Sequence, residues 1–350
     1  MICNKNNQQN YNTSMEYTKL MVLTTFITLL SACDSWTNVE VYEPTNLTNA
    51  NRTETYYANL RAYKQRTHTI TYAKWQGWTG VGDTLNGQMR GLPDSLNVVG
   101  LTAAFQDPTA EMKSDMEFVR KIKGTKVIVA ISIINIGDGF KTEKSNQQDM
   151  SIQQYADKLI NLVLLNNYDG LDIELLPESG KRGSIAGDRN NTHELLDALS
   201  RSLGPRSGNE KLLFFSGDPT AISAEEIYWF NYVVAYAFGS KSDADLDNIV
   251  KEWNKQFIAS FSFTELTSRL IVMEDFLSHK DGGVLYKDRF NNGMLSLEGM
   301  ARWIPLYHGK RVTKGGVGIY RMDNEYTIEG QTSTYPATHK VIQILNPSIK

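Results

Sequence analysis

Cysteine is nearly missing from this chain. Its 350 residues include two, Cys3 and Cys33, and thiols so few and so placed build neither a disulfide framework nor a thiolate metal site. The five histidines, His68, His193, His279, His308 and His339, are scattered, with no helical pair at metal-ligand spacing. Neither a metal nor an organic cofactor is therefore expected. Charge is close to balance: 36 Lys and Arg against 39 Asp and Glu leave a net −3, which makes no electrostatic case for nucleic acid or anionic lipid. There is no Gly-rich phosphate loop, no internal repeat and no low-complexity block. Two partial motifs fall short. Asp243 through Asn248 opens like a calcium loop, but Asn248 stands where glycine is required and Asn254 where the closing Glu belongs. It reads better as a helix start with acids at its positive end. Asp281-Gly282-Gly283 signals a turn with no phosphate-binding helix behind it.

Long apolar runs are missing as well, since a spanning helix takes about twenty residues. Residues 21–30, behind Lys19, have the length of a signal-peptide core instead. Leu30-Ser31-Ala32-Cys33 follows directly and resembles the bacterial lipoprotein box. That resemblance implies cleavage before Cys33, acylation of its thiol and new amine, and a lipid anchor on the bacterial outer membrane, exposed at the surface. An ordinary secreted protein is the alternative. Met15 is the expected start of translation, because few signal peptides carry a long polar stretch ahead of the basic region. The expected organisation is a signal peptide over 1–32, a lipidated Cys33 and tether running into the first segment over 33–64, and one barrel domain over 65–350. Within the tether, residues 34–55 are polar and rich in Asn and Thr.

What the chain does have is core. It is 41% hydrophobic and 21% charged, the composition of a soluble globular protein. Eight apolar runs read as strands buried on both faces: Thr69–Trp75, Asn97–Ala103, Lys126–Ile134, Gly170–Leu176, Leu212–Ser216, Tyr232–Phe238, Arg269–Asp275 and Gly316–Arg321. Helical patterns fall between them. Met112, Met116, Val119 and Ile122 repeat at helical spacing, and Ser151 with Gln154 and Ser223 with Glu226 form capping boxes. Asp245–Phe257 and Ser296–Trp303 supply later helices. Strand–helix alternation of this kind predicts an α/β fold, a single-domain (β/α)8 TIM barrel. An open doubly wound sheet is the alternative, disfavoured by the missing phosphate loop.

The most informative run is Tyr168-Asp169-Gly170-Leu171-Asp172-Ile173-Glu174-Leu175-Leu176-Pro177. Side chains two apart on a strand face the same way, so Asp172, Glu174 and Leu176 share a face, with Leu176 nearest the carboxyl end, where barrels do their chemistry. The run resembles the signature of glycoside hydrolase family 18, Asp-Gly-x-Asp-x-Asp-x-Glu. Tyr56 through Lys64, Arg90 through Ser95, Gly124-Thr125-Lys126 and Asn135 through Asp138 are similar to a lipoprotein subgroup of that family whose active members are endo-β-N-acetylglucosaminidases. Asp169, Gly170 and Asp172 match the signature. Glu174 stands where the third Asp belongs and Leu176 where the proton-donating Glu belongs. The resemblance implies that the family's Glu protonates the glycosidic oxygen while the preceding Asp holds the substrate's N-acetyl group. Leucine has no proton to give, and losing a positioned general acid forfeits roughly 10²- to 10⁴-fold in rate. Glu178, two residues further out, is a candidate displaced acid, ~6.5–7 Å from the usual place if the strand continued.

The expected function is therefore a catalytically inactive, glycan-binding lipoprotein. It would capture N-acetylglucosamine-containing oligosaccharides or glycoprotein glycans, N-glycans among them, beside neighbouring glycan-uptake proteins. An endo-β-N-acetylglucosaminidase using Glu178 and a structural or protein-interaction lipoprotein are the alternatives. Beyond Asp172 and Glu174, the expected glycan contacts are Trp75 with Trp78 after strand one, Asn135 after strand three, Tyr236 in strand six and Tyr320 ending strand eight. Aromatic faces suit pyranose rings, and amides suit hydroxyls.

Overall fold

A computed structural model describes residues 52–103, 105–140, 150–176 and 182–347. Cys33, the apolar run before it and Glu178 lie outside the described residues. Eight parallel strands close into a barrel: β1 (Ile70–Trp75), β2 (Val98–Leu101), β3 (Lys126–Ser132), β4 (Gly170–Leu175), β5 (Leu212–Gly217), β6 (Tyr232–Tyr236), β7 (Leu270–Asp275) and β8 (Gly316–Tyr320), with β8 pairing back onto β1. The (β/α)8 barrel read from the sequence is the fold observed. Several strands end short of the expected run because their last apolar residues leave the ladder. Ile134, for example, gives its N–H to the Asp138 carboxylate at 2.7 Å instead of to a strand.

Both faces of each strand are covered, so every residue of β1 and β4 is buried. Ile70, Tyr72, Val98, Ile128, Phe214, Val234, Ile271 and Met273 fill the barrel interior. A larger apolar cluster lies between the strands and the helices α1 (Glu54–Lys64), α2 (Ala110–Phe118), α3 (Ile152–Leu165), α4 (Arg189–Ser200), α5 (Asp243–Phe257), α6 (Phe263–Arg269), α7 (Ser296–Arg302) and α8 (Pro336–Leu345). Among the described residues no helix is long and apolar enough to cross a membrane.

Local chemistry sets most helix starts. Ser151 and Gln154 close the capping box of α3, and the Ser242 hydroxyl accepts from Asp245 N at the start of α5, so the calcium-like run is a helix N-terminus. Ser223 and Glu226 make the two reciprocal bonds of the expected capping box, Glu226 N donating to Ser223 Oγ at 3.3 Å and Ser223 N to Glu226 Oε2 at 2.6 Å. They open only a single 3-10 turn, Glu226–Trp229, rather than an amphipathic helix, and the buried Glu226 carboxylate also pairs with Arg189 and His193 of α4. Helix α1 precedes the expected domain boundary at 65, yet it belongs to the folded body. It buries Tyr56, Leu60 and Tyr63, and Arg61 Nη1 donates to Ile122 O at 2.9 Å. Lys64 Nζ donates to Asp94 O and Leu96 O at 2.6 and 2.7 Å.

Asp169, the first acid of the β4 run, sits at the foot of the strand and serves the fold. Its carboxylate accepts from Arg120 Nε and Nη2 at 2.8 and 3.0 Å and from Val127 N at 2.9 Å. It is almost fully buried. Removing one partner of such a pair leaves the other charge enclosed without compensation, at a cost of about 3 kcal/mol. Asp169→Ala is therefore expected to lower the urea midpoint by that equivalent while circular dichroism still reports a barrel.

Candidate functional site

The upper half of the barrel is built by alternation. Tyr72 and Lys74 of β1, Asp172 and Glu174 of β4, Ser216 of β5 and Tyr236 of β6 meet inside the barrel. Lys74 is fully buried, and its Nζ lies 3.1 Å from Asp172 Oδ2 and 3.2 Å from Glu174 Oε1. It also donates to Tyr236 Oη at 2.9 Å. Tyr72 Oη donates to Asp172 Oδ2 at 2.7 Å, and Ser216 Oγ lies 2.8 Å from both carboxylate oxygens. Tyr236 Oη donates to Glu174 Oε1. Space for this arrangement comes from Gly100 on β2, where a Cβ would stand 2.4 Å from Tyr72 Oη.

The proton inventory follows from these contacts. Burial alone would push the Lys74 ammonium down, but the facing Asp172 and Glu174 carboxylates outweigh it and hold the pKa well above the ordinary lysine value. Burial, with Asp172 beside it, pushes the Tyr72 phenol well up, and burial does the same to Tyr236. The protons around the two acids thus belong to groups that hold them tightly.

Asp172 is fully enclosed with both oxygens engaged, so a ligand cannot reach it in this arrangement. Its expected role as a direct glycan contact is corrected to one of support. Glu174 uses Oε1 for both Lys74 and Tyr236, while Oε2 carries no bond among the described residues. Leu176 is half-buried just past the end of β4. Tyr236 and Tyr320 form the rim, with ring centroids 6.4 Å apart, and Phe238 joins them at 4.9 and 5.6 Å. Phe238 is 42% exposed, the most accessible of the three aromatic side chains.

Two expected contacts are elsewhere. Trp75 is on the opposite face from Lys74, fully buried with Ala73 in the outer cluster, so it cannot meet a ligand in the barrel. Trp78 is buried too, and its Nε1 donates to Asp115 at 3.2 Å. Asn135 is exposed, and its Oδ1 accepts from Ser184 N at 3.1 Å, tying the loop after β3 to the one after β4. Among the described residues no group of three His, Cys, Asp or Glu side chains is arranged to hold a metal ion.

Lys74 and Phe238 were not among the residues expected from sequence. A signal for Lys74 was available. A lysine inside Ile70-Thr71-Tyr72-Ala73-Lys74-Trp75, a run buried on both faces, demands a buried acid, and β4 supplies two. Phe238 has the parity of Tyr236, but nothing in the sequence marks it as exposed.

The sequence matches the family model described as glycoside hydrolase family 18, BT1044-like, over residues 37–344. No curated protein matches it. Among solved structures, a selenomethionine form of a BT1044 variant superposes with a TM-score of 0.71 at 21% identity, covering 88% of this chain and 97% of that one. The endo-β-N-acetylglucosaminidase from Cordyceps militaris in apo form gives a TM-score of 0.60 at 20% identity, covering 91% and 100%. A mutant of that enzyme in complex with fucosyl-N-acetylglucosamine-Asn gives 0.60 at 21%, covering 91% and 100%. At these identities the structural likenesses bear on the fold alone.

Lys74→Met would leave two adjacent buried carboxylates without a counter-ion, a change expected to lower stability by about 3 kcal/mol near pH 7. Pairing Lys74→Met with Asp172→Asn should recover part of it. Urea titrations of the parent and of the single and double variants provide the check.

Proposed function

The chain belongs to glycoside hydrolase family 18, and from the state of its barrel mouth we infer that it binds N-acetylglucosamine-containing glycans without hydrolysing them. The observation that carries this reading is Lys74, which holds Asp172 and Glu174 together beneath a mouth where Leu176 replaces the expected acid. Catalysis needs stabilisation that appears only in the transition state, whereas binding needs complementarity to the ground state. The first requirement is unmet by Leu176 and by an engaged Asp172. Groups suited to the second remain. Glu174 Oε2 can accept from a hydroxyl or an acetamido N–H, and Tyr236, Phe238 and Tyr320 offer aromatic surface to a pyranose ring. The Cordyceps militaris enzyme mutant in complex with fucosyl-N-acetylglucosamine-Asn supports this ligand class by analogy of fold.

Glycopeptides with high-mannose or complex glycans should stay intact through long incubation with the soluble form, while calorimetry reports binding of at least one class. Phe238→Ala should weaken that binding by about tenfold. Release of the glycan would overturn the reading, and loss of that release in Glu178→Gln would identify a displaced acid.

The lipobox-like Leu30–Cys33 supports a second element of the proposal: an acylated Cys33 anchoring the protein on the bacterial outer membrane, beside glycan-uptake proteins. A double signal of this kind is what stable anchoring requires, since one acyl chain alone holds weakly. Mass spectrometry of the membrane fraction should find Cys33 as a diacylated or triacylated first residue; an unmodified Cys33 in a soluble full-length chain would refute it.

A further inference from the structure

The end of the barrel opposite the mouth, where the loops feed the strands, carries an excess of cations. Lys126 opens β3 with its Nζ 3.6 Å from Asp169 Oδ1, an acid that Arg120 already neutralises. Lys211, just before β5, donates to Tyr168 O at 2.5 Å, beside the same acid. Arg66 before β1 and Lys310 and Arg311 before β8 are exposed, and their side chains have neither hydrogen bond nor ion pair among the described residues. Acids at this end are mostly spent: Glu54 on Arg61, Glu117 on Lys121, and Asp197 on Arg201 and Arg206. Glu210 and Glu265 make no ion pair there among the described residues. A net charge of −3 for the whole chain thus conceals a basic foot.

Apolar side chains stand exposed among these cations. Leu164 and Leu165 end α3 at 48% and 81% exposure. Before β8, Leu306–Tyr307 and Lys310–Arg311 pair as a short antiparallel hairpin, two exposed apolar side chains on one strand and two cations on the other. A cavity of about 520 Å³ lies beside it, walled in part by Ile304, Val312 and Ile344. Its charged lining, Arg302, Arg311 and Lys314, is entirely basic. Glu298 holds Arg302, and Lys314 Nζ donates to Met300 O and Ala301 O at 2.7 Å each, so Arg311 is the cation left over. Leucine and tyrosine set among lysine and arginine suit the headgroup boundary of a bilayer, where apolar groups enter the acyl layer and cations meet phosphates. A polyanion such as nucleic acid would use the charge but not the exposed leucines.

We propose that the foot of the barrel docks on an anionic bilayer, with a lipid phosphate at Arg311 and the mouth turned away from the membrane. Arg52, the first described residue, stands at the same end, its Nε 4.0 Å from Oδ2 of Asp94 just before β2. An acylated Cys33 would therefore tether the barrel from its foot. The docking itself needs no acyl chain and no glycan, so the soluble form tests it apart from both earlier readings. At low salt that form should co-sediment with phosphatidylcholine vesicles containing phosphatidylglycerol, and not with phosphatidylcholine alone. Lys310→Glu with Arg311→Glu is expected to weaken the binding about tenfold, and Leu306→Ser to weaken it severalfold. Lys241→Glu with Lys287→Glu, exposed at the mouth end, should leave it unchanged. All five positions are exposed, and thermal melting checks that each variant folds. Equal binding to the two vesicle types, binding that survives the hairpin substitutions, or an equal loss in the mouth-end variant overturns the proposal. So does displacement by inorganic phosphate at constant ionic strength, which would mark a site for a free anion.

Discussion

Lys74 is a buried ammonium between two buried carboxylates, and the upper half of the barrel is arranged around it. Enclosing three charges is costly unless each finds good partners. Here one cation faces two anions, so the ion pairs alone leave negative charge over. Tyr72, Ser216 and Tyr236 meet the remainder with hydroxyl hydrogens. That need explains the space kept open at Gly100 and the tyrosines on both β1 and β6. It also fixes what the mouth can do, because the same contacts that satisfy the acids withdraw Asp172 from any ligand.

The architecture was legible because parallel strands covered on both faces leave unbroken apolar runs, and eight such runs stand in the sequence. Capping chemistry was legible where it is local, as at Ser151. At Ser223 the box forms but opens only a 3-10 turn, and the Glu226 carboxylate also binds Arg189 and His193, partners more than thirty positions away in the chain. The same limit governed the site. Period-two spacing put Asp172 and Glu174 on one face, but the residue that neutralises them is 100 positions earlier. Attention to aromatic type selected Trp75, whereas parity assigns the inward position to Lys74 beside it.

The two ends of β4 answer to different demands. Asp169 at the foot is bound to Arg120 and to a backbone N–H of β3, a role that any stable barrel of this register could use. Glu174 and Leu176 at the top belong to the ligand end. A single short motif therefore combines a folding requirement with a chemical one, and the first can persist after the second has changed.

Gly100 ties the history of the site to positions that never touch a ligand. Any side chain there would drive Tyr72 off Asp172 and unsettle the charge balance that Lys74 maintains. A carboxylate placed at Leu176 would face an Asp172 still held in its ion pair. Residues on β1, β2 and β4 are thereby coupled, and changing one without the others carries a penalty. The arrangement acts as a ratchet: the rim can change by single substitutions, whereas the charged centre beneath it changes only by coordinated ones.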